Sequence, residues 1–183
     1  MSGSHYSDEE LLEMIRESDS NYGFSLLTKK YSESLYWFIR KIVLNHEDAN
    51  DVLQDSYLKA FQKIDQFEGR SSLKTWLYQI AYRTSLDALK KKRNRFFLPI
   101  TSMSEVLLKQ LKADAYFDAD EAELKFQQAL AKLPHKQREV FLLVYYEEMP
   151  LKEIATILKI TEGAVKANSH LAKQKLKKFL SPD

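Results

Sequence analysis

Apolar residues recur along much of this chain at steps of three and four, the spacing that lines one face of an α-helix. Phe24, Leu27, Tyr31, Leu35, Phe38 and Ile42 form the longest such series and predict a helix over about 22–44. A second helix, about 47–65, gathers Ala49, Leu53, Tyr57, Ala60 and Ile64 on one face. Gly69 with Ser71 and Ser72 breaks the pattern as a loop. A third helix over about 72–93 then buries Leu73, Leu77, Ile80 and Ala88. Upstream, Ser7 followed by Glu10 has the form of a capping box and opens a short acidic helix. Downstream, further helices are predicted at about 121–132, 135–147, 151–158 and 162–179. Between the two groups, Pro99, Thr101-Ser102 and the acids after Ala113 read as a flexible linker, with a short helix at about 104–112. The pattern therefore divides the chain into a helical domain at 1–95, a linker at 96–120 and a second helical domain at 121–183.

Composition supports that division. Only four Gly and four Pro occur, with 44% hydrophobic and 30% charged residues, so the fold class is all-α: two small helical domains joined by a flexible linker. The absence of cysteine excludes disulfides and thiolate metal sites and suits a reducing cytoplasm. No apolar stretch is long enough to span a bilayer, and MSGSHYSDEELL lacks the basic start and apolar run of a signal peptide. A cytoplasmic protein without membrane insertion is expected. His5, His46, His135 and His170 share no ligand spacing, and the chain has no nucleophile paired with a base and no Gly-rich phosphate loop. No metal, cofactor or catalytic residue is expected, and the protein is not read as an enzyme.

Charge is segregated. Residues 70–95 carry eight basic side chains against Asp87 alone, and 163–178 hold five lysines and no acid. Residues 1–20 carry six acids against Arg16, while 114–123 hold five acids and no base. Two basic stretches in a chain of net charge +2 point to two contacts with a polyanion, or to two solvated helix faces.

The second basic stretch lies in a helix-turn-helix. Pro150 precedes the segment Leu151 to Leu158, in which Ile154, Ile157 and Leu158 point inward and Ala155 permits a close crossing. Lys159-Ile160-Thr161 forms the turn, Thr161 caps the next helix, and Glu162 sits at its positive end. Val165, Ala172, Leu176 and Phe179 form the buried stripe. On the opposite face, Gly163 and Ala167 are small enough to enter a major groove. Lys166 and Lys177 can reach phosphates, and His170 and Gln174 can reach base edges or phosphates. Such turns favour a left-handed residue, which at Lys159 costs about 1–2 kcal/mol relative to Gly.

In the first domain, Asp48, Asp51 and Asp55 line the face of the 47–65 helix opposite its apolar stripe. They form either a solvated face or an acidic docking surface for a basic partner helix. The next helix presents Lys74, Tyr78, Tyr82, Arg83 and Ser85, with Trp76 on the flank, and leads into Lys90-Lys91-Lys92-Arg93. Aromatics interleaved with cations suit single-stranded nucleic acid, since base stacking is worth about 1–3 kcal/mol per base. Tyr78 and Tyr82 equally suit packing under the linker.

Together these segments resemble the extracytoplasmic-function (ECF) sigma factors of bacterial RNA polymerase. Asp48–Phe61 (DANDVLQDSYLKAF) is similar to region 2.2 of that family. Phe67–Ala81 (FEGRSSLKTWLYQIA), continued by Asp87–Arg93 (DALKKKR), is similar to regions 2.3 and 2.4. Leu133-Pro134 through Leu176 is similar to region 4. The resemblance implies a non-catalytic subunit that directs core RNA polymerase to particular promoters. It implies docking on the β′ clamp helices through Asp48, Asp51, Gln54 and Asp55. It implies capture of the melted minus-ten element by Phe67, Gly69, Arg70, Ser71, Lys74, Trp76, Tyr78, Tyr82, Arg83, Lys90, Lys91 and Arg93. The minus-thirty-five duplex would then meet Arg138, Thr161, Glu162, Gly163, Lys166, Ala167, His170, Lys173, Gln174 and Lys177, with the same domain touching the β flap. A dedicated anti-sigma factor is a further expected partner. The chain departs from the family pattern at Lys159, in place of the turn Gly, and at Thr84, in place of an Asn. It departs again at Asn168, Leu171 and Lys173, where arginines are common. These positions bear on promoter preference. A stand-alone duplex-binding regulator and a partner-titrating protein are the competing readings.

Overall fold

A computed structural model describes residues 6–95, 109 and 121–181. The linker at 96–120, with its expected helix at 104–112, therefore lies outside the described residues apart from Lys109. The described residues form eight α-helices. They are α1 (Asp8–Glu13), running on into a π-helical turn (Met14–Ser18), α2 (Ser20–Val43), α3 (His46–Lys63), α4 (Leu73–Arg95), α5 (Glu121–Ala131), α6 (His135–Tyr145), α7 (Leu151–Leu158) and α8 (Glu162–Leu180). A 3-10 turn (Ile64–Gln66) follows α3.

Local chemistry explains most of the boundaries. Ser7 Oγ accepts from Glu10 N–H at 3.1 Å while Ser7 N–H donates to the Glu10 carboxylate at 2.6 Å, completing the expected capping box. Asp19 caps α2 through Tyr22 N–H at 2.9 Å, and Asn45 caps α3 through Asp48 N–H at 2.8 Å. Leu44, between α2 and α3, is left-handed with φ 55° and turns the chain back on itself.

All six residues of the α2 series are buried, and they meet α3 and α4 around Leu35, Phe38 and Leu73. On α3 the buried face is rotated slightly from expectation. Val52 and Ser56 are buried beside Ala49 and Ala60, while Leu53 and Tyr57 are only partly covered. The larger difference is at α4. Ile80 and Ala88 are partly buried, whereas Ser85, expected on the non-core face, is buried, as are Ala81 and the two tyrosines, Tyr78 and Tyr82, for which both a stacking face and a packed position were open. The reason is that α4 is covered on two sides, by α2 and α3 on one and by α7 on the other. The last four helices contribute Val140, Leu143, Ile154, Ile157, Val165 and Leu176 to a hydrophobic core continuous with that of the first helices. Phe179 does not join that core: its ring is exposed, with Lys132 Nζ 5.6 Å from the centroid.

Candidate nucleic-acid interface

The helix-turn-helix is built as its sequence requires. Lys159 closes α7 in the left-handed region, φ 53° and ψ 49°, and its N–H reaches the Ala155 carbonyl. Thr161 Oγ1 then accepts from Ala164 N–H at 3.1 Å, satisfying one of the free amides that begin α8. Val165, Ala172 and Leu176 face inward. Opposite them, Thr161, Glu162, Gly163, Lys166, Ala167, His170, Lys173, Gln174 and Lys177 are all exposed. Ser169 sits at the edge of the stripe, its hydroxyl 3.3 Å from that of Tyr145. Small residues in the first turn and cations further along give α8 the profile of a helix that enters a groove and is held by phosphates.

Arg138 is not part of that face. It is 6% exposed, inside the contact between α6 and the first group of helices, and burial draws its guanidinium below the ordinary arginine value, opposed by Glu139 and Tyr82. The next residue, Glu139, is 2% exposed beside His135 Nδ1 and 3.4 Å from Lys136 Nζ. Burial pushes the Glu139 carboxyl up, but nearby His135, the Tyr82 hydroxyl and Lys136 outweigh it and hold the carboxyl below its usual range.

The Tyr/Lys face of α4 is occupied. The Tyr78 ring packs on Phe38 with centroids 4.9 Å apart, and its hydroxyl donates to Glu147 at 2.5 Å. Thr75 Oγ1 donates to the Glu153 carboxylate, and Gln79 Nε2 donates to the Thr156 carbonyl at 3.0 Å. Lys136 Nζ donates to the Tyr82 hydroxyl at 3.2 Å. Lys74, half-buried, points towards the Glu147 carbonyl at 3.5 Å. Tyr78 and Tyr82 are thus not free stacking platforms in this arrangement. Their apolar rings pair with the core and their hydroxyls with the last four helices. Burial pushes the hydroxyls of both residues far above the ordinary phenol range, and Glu147 and Glu139 respectively push them further.

The loop ahead of α4 remains open. Gly69, at φ 70° with no atom within 4 Å of where a Cβ would lie, turns the chain without crowding. Arg70 reaches Glu68 at 2.6 Å in solvent, and Ser71 is partly exposed. Phe67 is instead buried, against Trp76. Arg83, Lys90 and Lys91 are exposed and Arg93 is partly so.

On α3, Asp51, Gln54 and Asp55 are exposed, but Asp48 is engaged. Its carboxylate pairs with Lys92 across a groove of about 740 Å³ between α3 and α4. The acidic face is therefore shorter than its spacing suggested. The residues that sequence reasoning missed are Glu147, Glu153 and Gln79. Their contacts join residues more than 65 positions apart in the chain, and no periodicity carries that information.

The geometry defines a two-part all-α protein with a helix-turn-helix and a separate acidic helix. Two family models divide the chain in the same way: sigma-70 region 2 matches residues 27–95, and sigma-70 region 4 matches residues 123–176. The ECF sigma factor SigX of Bacillus subtilis is 30% identical over 86% of this chain and 83% of its own length. SigW of the same organism is 29% identical over 92% and 94%. The chain belongs to the ECF sigma factors. Its fold is also similar to that of CnrH in complex with the cytosolic domain of CnrY, with TM-score 0.68, 22% identity and 94% and 96% coverage. RpoE of Bartonella quintana, solved with the anti-sigma factor NepR, gives TM-score 0.67, 23% identity and 87% and 98% coverage. Membership in this family does not favour a stand-alone duplex regulator. No described helix is long and apolar enough to cross a membrane.

Proposed function

We propose that this chain, in the cytoplasm, docks on the β′ clamp helices of core RNA polymerase through Asp51, Gln54 and Asp55, with Asp48 helping once released from Lys92. It has no catalysis of its own and supplies promoter specificity to the enzyme. The units at 1–95 and 121–183 act as two grips, joined by 96–120 as linker. Gly69, Arg70, Ser71, Arg83, Lys90 and Lys91 engage the melted minus-ten strand, and α8 reads the minus-thirty-five duplex while its domain contacts the β flap. The observation that carries this reading is the uniformly exposed face of α8 from Thr161 to Lys177 backed by the buried stripe of Val165, Ala172 and Leu176. A chain with these charges would bind DNA through phosphates, strongly dependent on salt and too weakly to act without polymerase. Use of Lys74, Tyr78 and Tyr82 on DNA requires α6 and α7 to leave α4. An anti-sigma factor fits as a partner that holds the two halves together.

Run-off transcription with core polymerase, at promoters mapped after overexpressing the chain, tests the reading. Core binding and discrete starts are expected. A chain that fails to bind core ends it.

A further inference from the structure

The loop that begins at Phe67 is held at its root from two sides. The Phe67 ring packs on Trp76 with centroids 5.3 Å apart. Its carbonyl accepts a hydrogen bond from Arg16 Nη2 at 2.5 Å, a contact between residues 51 apart in the chain. The Phe67 N–H is already given to the Ile64 carbonyl at 3.0 Å, closing the 3-10 turn. Its carbonyl is therefore the backbone handle available just before Gly69 turns the chain at φ 70°.

Four features aim Arg16 at that carbonyl. Leu11 and Ile15 are buried at 0% and 3% exposure and seat the segment on the core. Asp8 accepts from Lys30 Nζ and from the Tyr31 hydroxyl, each at 2.7 Å, fixing the start of α1 against α2. Gly23 admits the segment closely: a Cβ there would lie 2.9 Å from both Ile15 Cγ1 and Ile15 N, so any other residue pushes Ile15 and its neighbour Arg16 outward. Arg16 itself lies in the π-helical turn, whose extra residue re-aims the side chains that follow a regular helix.

We propose that Arg16 is a positioning residue for promoter opening. Its guanidinium braces the Phe67–Ser72 loop in the shape that receives an unpaired base of the minus-ten strand. The proposal rests on the reading of that loop as the minus-ten contact. Arg16 and Gly23 both lie ahead of residues 27–95, which match the region 2 model, so the loop is braced from outside the matched part. The bond is charge-assisted, and a loop already shaped loses less freedom when it captures a base. Losing the brace should slow opening about tenfold, the scale of one such bond.

The test uses the full chain with core RNA polymerase and a promoter fragment carrying 2-aminopurine in the minus-ten element, taken from the mapped starts. Arg16→Ala is expected to open this fragment about tenfold more slowly, with core affinity close to wild type and a thermal midpoint lower by only a few degrees. Arg16→Lys, which keeps a donor, recovers part of the rate, and Glu17→Ala opens like wild type. Gly23→Ala slows opening in the same way as Arg16→Ala. Opening by Arg16→Ala at the wild-type rate overturns the proposal, as does a core affinity that falls in the same proportion. If the wild-type chain binds core but opens nothing, the reading of the loop fails instead.

Discussion

The Tyr78 hydroxyl donates to the Glu147 carboxylate across 2.5 Å, linking the N-terminal part of α4 to the turn that follows α6. The Tyr78 ring, fully buried on Phe38, packs among the first helices, and its hydroxyl belongs to the contact between the two groups of helices. A single side chain thus transmits the packing of one half to the position of the other.

Replacing Tyr78 with Phe keeps the ring and removes the donor, leaving a partly buried carboxylate at Glu147 short of a partner. A loss of about 1–3 kcal/mol is expected by urea denaturation. In the wild type, burial and Glu147 raise the Tyr78 hydroxyl far above its ordinary value. Its contribution is therefore complete below the ordinary phenol pKa of about 10 and is lost as pH rises through the raised value. Tyr78→Phe flattens that alkaline loss.

Glu139 gives the opposite dependence. Its carboxyl is held below the usual range, so its contribution is present above the unfolded glutamate pKa of about 4.3 and declines as pH falls towards the depressed folded value. The thermal midpoint should drop below about pH 4 in the wild type and less steeply in Glu139→Gln. Identical acid profiles for the two proteins would remove Glu139 from the account.

Lys166 and Lys177 are exposed on the free face of α8. Reversing both to Glu should weaken holoenzyme binding to a minus-thirty-five duplex and lower the salt slope by about two, one for each lost phosphate contact. Core affinity, measured without DNA, should not change.

Lys159 holds a left-handed conformation at φ 53° without the freedom of glycine. Lys159→Gly relieves about 1 kcal/mol of backbone strain, part of which the looser unfolded chain returns. A small rise in the denaturation midpoint is expected. A fall would place a stabilising contact on the Lys159 side chain.

Much of this was legible in the residues themselves. The heptad-like spacing of Phe24 to Ile42, the capping box at Ser7 and the Thr161 cap are local, because a helix repeats within four residues and a cap acts over three. The α7–α8 unit follows from those signals as far as Leu176, and its exposed face follows from its buried one; Phe179, expected in the stripe, is exposed. The differences arise where distant elements meet. Ser85 read as part of the non-core face, and Tyr78 and Tyr82 stayed open between stacking and packing, because periodicity reports one covered stripe and α4 is covered on two. Arg138, a DNA contact only as the family resemblance implied, is buried, and Asp48 is paired with Lys92 from 44 residues away. What the amino-acid order decided was which segments are helices, where they begin and which of them could grip DNA. Only the tertiary structure decided that Glu147 and Glu153 meet the Tyr/Lys helix, and that Arg16 reaches the loop at Phe67, since hydrogen bonds between distant elements depend on how buried faces pack.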